Sequence, residues 1–142
     1  MPKRSGRRLT RSEMMARVRS SDTAPEMTVR CALWRAGLRY RLHDKSLPGR
    51  PDIVFRSRRI AVFVHGCFWH RHAGCRLAST PKTRPEFWEA KFRENVTRDA
   101  RVVAELEAAG WRPIVMWGCA VADPTTLTAL ATLIRNTESR SE

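Results

Sequence analysis

The stretch Ile60-Ala-Val-Phe-Val64-His65-Gly-Cys-Phe-Trp-His70-Arg-His-Ala-Gly-Cys75 decides how the rest of the chain is read. Its first five residues are continuously apolar, the mark of a central strand covered on both faces. From Gly66 to Arg84 no periodicity remains, yet Cys67, His70, His72 and Cys75 crowd into that loop directly after His65. A covered strand that delivers such a loop implies an α/β fold, with the chemistry at the strand's end.

Working outward, Asp52–Phe55 reads as the neighbouring strand, joined to Ile60–Val64 by the basic turn Arg56–Arg59 and preceded by the turn Leu47-Pro-Gly-Arg50. Leu38–Leu42 alternates like a half-buried strand. Thr23-Ala-Pro-Glu26 is a capping box with proline in the first turn, opening a helix that runs to Ala36 and stops at Gly37. Its core face holds Val29, Ala32, Leu33 and Ala36. An earlier capping box, Thr10-Arg-Ser-Glu13, predicts a short helix through Val18. Downstream, a long helix spans Pro85 to Ala109 and ends at Gly110, with Phe92, Val96, Val103 and Leu106 as its buried stripe. Pro113–Trp117 is a further strand, and Asp123-Pro124 caps a last helix to Asn136. Residues 1–9 form a basic flexible arm, 10–136 a single domain and 137–142 a polar tail. No heptad pattern argues for more than a monomer.

A zinc ion takes four Cys, His or carboxylate ligands in a tetrahedron. Cys67 and Cys75 with either neighbouring histidine supply three from one loop, and Cys119, just past a strand, is the natural fourth. Cys31 sits within a helix and reads as an inert buried thiol. Asp52 stands at the start of its strand after a constrained turn. There it serves either as a turn cap or as the oxygen ligand of a magnesium ion at the sheet rim. Phe68 and Trp69 lie between cysteine and histidine, so they read as displayed rings suited to insertion between base steps rather than as core anchors. Trp88 joins them or packs in the core.

The charge points the same way. Of 142 residues, 27 are basic and 14 acidic, a formal net charge of +13. This excess favours a polyanionic partner, since basic groups release counterions condensed on phosphates. Only Lys3, Lys45, Lys82 and Lys91 are lysine, so 23 of the 27 are arginine, whose planar fork matches phosphate and guanine edges. No apolar run is long enough for a secretory signal or a membrane span. The expected place is the cytoplasm, on nucleoid DNA, where cysteines stay reduced.

Together, Arg17-Val-Arg-Ser-Ser-Asp-Thr-Ala-Pro-Glu26, Leu47-Pro-Gly-Arg-Pro-Asp52, His65-Gly-Cys-Phe-Trp-His70, Arg84-Pro-Glu-Phe-Trp88 with Asn95, and Gly110-Trp111 through Trp117-Gly-Cys119 resemble the very short patch repair (Vsr) endonucleases. The resemblance covers residues 10–122. It implies a restriction-endonuclease-like core, a central mixed sheet flanked by helices, with a structural zinc held by Cys67, His72, Cys75 and Cys119. It implies that Asp52 and the main-chain carbonyl of Val64 hold a catalytic magnesium ion, and that His70 takes part in hydrolysis with His65 and Glu26 in support. It implies that Phe68, Trp69 and Trp88 form an aromatic wedge; separately, the charge of the arm leads us to expect that Lys3, Arg4, Arg7 and Arg8 contact the duplex phosphates. The activity implied is nicking of double-stranded DNA beside a T:G mismatch, with mismatch-repair proteins as further partners. Two other readings compete: a non-catalytic zinc-containing DNA-binding module, and a nicking nuclease of different mismatch or site specificity.

Overall fold

Thr23 opens the first element because its hydroxyl accepts the Glu26 N–H at 3.4 Å, satisfying a donor that the first helical turn leaves without a partner. The computed structural model describes residues 22–138. The arm 1–9 with Lys3, Arg4, Arg7 and Arg8, the helix expected from Thr10 to Val18 and the end of the tail lie outside the described residues. Helix α1 is Ala24–Arg35. It stops where Gly37 takes φ +84°, with Leu38 N–H returning to the Leu33 carbonyl at 3.0 Å. Strand β1 is Arg41–Leu42, β2 is Ile53–Phe55 and β3 is Ile60–His65. The helix α2, Pro85–Ala108, leads to β4, Arg112–Trp117, then to the short α3, Gly118–Val121, and to α4, Pro124–Asn136.

The four strands form one mixed sheet in the order β1-β2-β3-β4, antiparallel at the first two junctions and parallel at the third. A parallel pair needs a crossover, which α2 supplies. Alternation along β3 explains its unbroken apolar run. Ile60 and Val62 enter a core with Val29 and Leu33 of α1 and Leu130 and Ile134 of α4, while Ala61 and Phe63 pack with Val102 and Leu106 of α2. The molecule is thus mixed α/β with helices on both faces of the sheet.

Four expectations change. The alternating segment Leu38–Leu42 pairs only at Arg41–Leu42, because Leu38 enters the core directly after the helix stop. On α2 the buried residues are Trp88, Phe92, Asn95, Val102 and Leu106, whereas Val96 is 46% exposed and Val103 only half-buried. Cys31 is exposed, since two residues from both Val29 and Leu33 places it about 200° around α1 from the buried face. Finally α3, four residues long, is too short to carry a period and was not expected.

Candidate active site and metal centre

The turn before β2 sets the first group. Gly49 has φ +72°, and a Cβ there would overlap Val102 of α2, so only glycine lets the turn lie against the helix. The chain then passes through buried Pro51 to Asp52, whose Oδ2 accepts the Val64 N–H at 2.7 Å. Because β2 and β3 run antiparallel, the start of one meets the end of the other, one residue before His65. Burial pushes the Asp52 carboxyl up to about 7; the Val64 N–H opposes this and the nearby Glu26 carboxylate adds to it.

Glu26 was read as half of a capping box, but its carboxylate turns inward and is 2% exposed. It accepts the Asp22 N–H at 3.2 Å, the Arg30 guanidinium at 3.0 Å and His43 Nε2 at 3.1 and 3.2 Å to its two oxygens. His43 was not singled out in the sequence, because it stands apart from the histidine run. Its backbone N–H reaches the Asp52 carbonyl at 3.1 Å, which brings its side chain next to Glu26. The structure therefore gathers Glu26 and Asp52 and adds His43.

His65 closes β3 and its ring lies face to face with His70, centroids 3.8 Å apart and planes within 6°. Burial holds His65 far below the usual imidazole range, at about 4; the His70 ring lowers it further and Asp99 opposes. His70 Nδ1 is 2.6 Å from Asp99 Oδ2. A carboxylate accepts, so Nδ1 carries the proton and Nε2 is the atom left to accept one. Asp99 was missed in the sequence. The signal was present, since Asn95 and Asp99 interrupt the stripe Trp88, Phe92, Val102, Leu106 at helical spacing, and both face the loop. Asn95 donates to the Trp69 carbonyl at 3.3 Å and fixes the segment that carries His70.

The remaining loop residues converge with α3. One donor atom each from Cys67, His72, Cys75 and Cys119 lies within 4.8 Å of every other. His72 Nδ1 is 3.3 Å from Cys119 Sγ and 3.6 Å from Cys67 Sγ. The loop is wound by His72 N–H to the Cys67 carbonyl and Cys75 N–H to the His72 carbonyl, with Arg71 and Gly74 at positive φ. Burial raises the Cys67 thiol to about 11, while the Leu77 N–H chiefly lowers Cys75 to about 7. Three sulfurs and one imidazole nitrogen aimed at one point, with only weak mutual hydrogen bonds, form a donor set that fits a soft tetrahedral cation. Of the two histidines left open by spacing, His72 stands with the cysteines and His70 with His65 and Asp99.

Phe68 differs from expectation, and of the two readings of Trp88 the structure takes packing in the core. Phe68 is 4% and Trp88 3% exposed, packed edge to face at 5.5 Å in a cluster with Phe92. Neither is displayed, because the loop folds back onto α2 and buries them. Trp69 alone of the three is half-buried, at the margin of that cluster. Phe87, not considered in the sequence, is 47% exposed beneath the Arg84 guanidinium at 4.7 Å.

A family model described as DNA mismatch endonuclease Vsr matches residues 7–76. The chain is 51% identical over 126 residues to the type II nicking enzyme V.XorIIP of Xanthomonas oryzae pv. oryzae, covering 89% of this chain and 90% of the relative. It is 42% identical over 109 residues to the type II nicking enzyme V.NmeAIP of Neisseria meningitidis, covering 77% of each. It is 44% identical over 119 residues to the DNA mismatch endonuclease Vsr of Escherichia coli, covering 84% of this chain and 76% of that one. On that identity, carried over most of both chains, the protein belongs to the Vsr family and is an endonuclease.

Proposed function

We propose that this endonuclease nicks one strand of duplex DNA beside a T:G mismatch by magnesium-dependent hydrolysis, the opening step of very short patch repair, and that its sheet is a restriction-endonuclease-like core. The observation that carries the reading is the meeting of Asp52 with the end of β3, where His65 leads to the His70–Asp99 pair. A buried carboxylate next to a second one at a sheet rim has the oxygen chemistry of a magnesium site, so Asp52 with the Val64 carbonyl would hold that ion. When bound, magnesium supplies charge neutralisation at the phosphate. Asp99 keeps His70 in the tautomer whose Nε2 takes a proton from attacking water as the oxygen–phosphorus bond forms and the opposite phosphoester bond breaks. His65 backs the His70 ring and Glu26 shapes the Asp52 pocket.

Cys67, His72, Cys75 and Cys119 would hold a structural zinc, which leaves no open position for water. Trp69 is the ring available to probe the mismatch, with Phe68 and Trp88 as its packed support. Trp69→Ala is expected to lower the ratio of mismatched to matched affinity more than general affinity; an unchanged ratio in a binding titration contradicts the wedge. The arm with Lys3, Arg4, Arg7 and Arg8 adds phosphate contacts, and the enzyme acts as a monomer at the nucleoid, with mismatch-repair proteins as its partners.

A second reading changes only the specificity. It draws on the 51% identity to a relative named as a type II nicking enzyme. Nicking assays with every mismatch in several sequence contexts test both. Cleavage confined to T:G supports the first, a different preferred mismatch the second, and no nick on any duplex with magnesium present contradicts both.

A further inference from the structure

The parallel register pairs His65 of β3 with Trp117 of β4, which sets the two side chains next to each other on one face of the sheet. The Trp117 ring meets His65 edge to face, centroids 5.4 Å apart at 72°, and lies flat on His72, 4.3 Å apart at 12°. His72 is in turn 3.3 Å from Cys119 Sγ and 3.6 Å from Cys67 Sγ. On its other side His65 stacks on His70, which is tied to Asp99 of α2. An unbroken series of ring contacts therefore runs from the cysteine cluster to Asp99, and Trp117 is its only member that neither belongs to the cluster nor carries a titratable group.

We infer that Trp117 is a positioning residue that transmits the rigidity of the Cys/His cluster to the His65–His70 pair. The inference rests on the catalytic role proposed for those histidines. Ring stacking holds planes, and a catalytic imidazole displaced by about 1 Å can lose on the order of 100-fold in rate. With Trp117 removed, one face of His72 and one side of His65 lose their wall. The metal ligands and the His70–Asp99 hydrogen bond stay in the chain, but the plane that relates them is gone. Trp117 touches no reacting atom in this account, so its loss should appear in kcat rather than in duplex affinity.

The test compares Trp117→Ala and Trp117→Phe with the wild type in three measurements: zinc per chain, kcat and KM on a T:G duplex, and ¹H–¹⁵N spectra of the histidine ring nitrogens. For Trp117→Ala we expect one zinc per chain, KM within about twofold, kcat lower by about 10- to 100-fold and shifted ring signals of His65 and His70. Trp117→Phe keeps a smaller ring and should recover part of both the rate and the signals. Full zinc with unchanged kcat and unmoved His65 and His70 signals overturns the inference. If the alanine variant fails to fold, the phenylalanine variant decides by the same two readouts. Absence of nicking by the wild type would instead strike the proposed function, and the ring signals would still decide the coupling.

Discussion

At the scale of single residues, the site depends on where a few polar groups interrupt apolar patterns. Asp99 occupies a position on the α2 stripe that an aliphatic residue would normally fill, and it uses that position to hold His70 Nδ1 at 2.6 Å. His70→Ala removes the proposed proton acceptor and is expected to lower kcat by about 10²- to 10⁴-fold. Asp99→Asn keeps the shape but no longer enforces the tautomer, and should cost about 10²-fold or more with KM little changed. Single-turnover nicking measures both; a fully active Asp99→Asn would show that the pair is structural. At this scale the sequence was informative where residue types cluster, as with Cys67, His72 and Cys75, and easily passed over where a lone residue reaches the site from a distant element. His43 and Asp99 are of the second kind. Phe68 was misread for a related reason, since adjacency to ligands in the chain says nothing about which helix a loop folds onto.

At the scale of elements, the turns and caps carry the fold. Thr23, Gly37, Asp123 and Gly110 mark helix ends because each supplies a hydrogen-bond partner or a backbone conformation that the helix itself lacks. These boundaries were legible from residue chemistry alone. The face of α2 was not, because choosing only apolar positions passes over Asn95 and moves the stripe to Val96 and Val103. Gly49 makes the most specific demand. Gly49→Ala combines a positive φ with overlap of Val102, costing about 2–5 kcal/mol together and lowering Tm by roughly 5–15 °C. Thermal unfolding with zinc supplied checks this, and an unchanged Tm would mean that the turn does not lie against α2 as described.

At the scale of the molecule, one end of the sheet is assigned both chemistry and cohesion. Cys67 follows β3 and Cys119 follows β4, so a metal held by the cluster would clamp the parallel pair, whose crossover contains the 24-residue α2, where its strands emerge. Binding of a structural zinc is worth about 10–16 kcal/mol, against a typical total stability of about 5–15 kcal/mol. Removal of the metal is therefore expected to unfold the chain rather than merely inactivate it. Cys119→Ser should do the same, and circular dichroism during titration with a chelator reads the outcome. A native spectrum after full metal removal would make the cluster dispensable. The net charge of +13 acts over the whole surface and supplies affinity for a duplex without sequence preference. Among the described residues no helix is long and apolar enough to cross a membrane.

In the proposed mechanism the Asp52 end of the sheet breaks the phosphodiester bond while other parts of the molecule bind the DNA. Asp52→Ala, assayed in parallel for T:G duplex binding and for single-turnover nicking with magnesium, tests it most directly. The variant is expected to fold, to bind the mismatched duplex within a few-fold of wild type and to nick it no longer. Nicking at the wild-type rate by that variant would show that Asp52 takes no part in the chemistry.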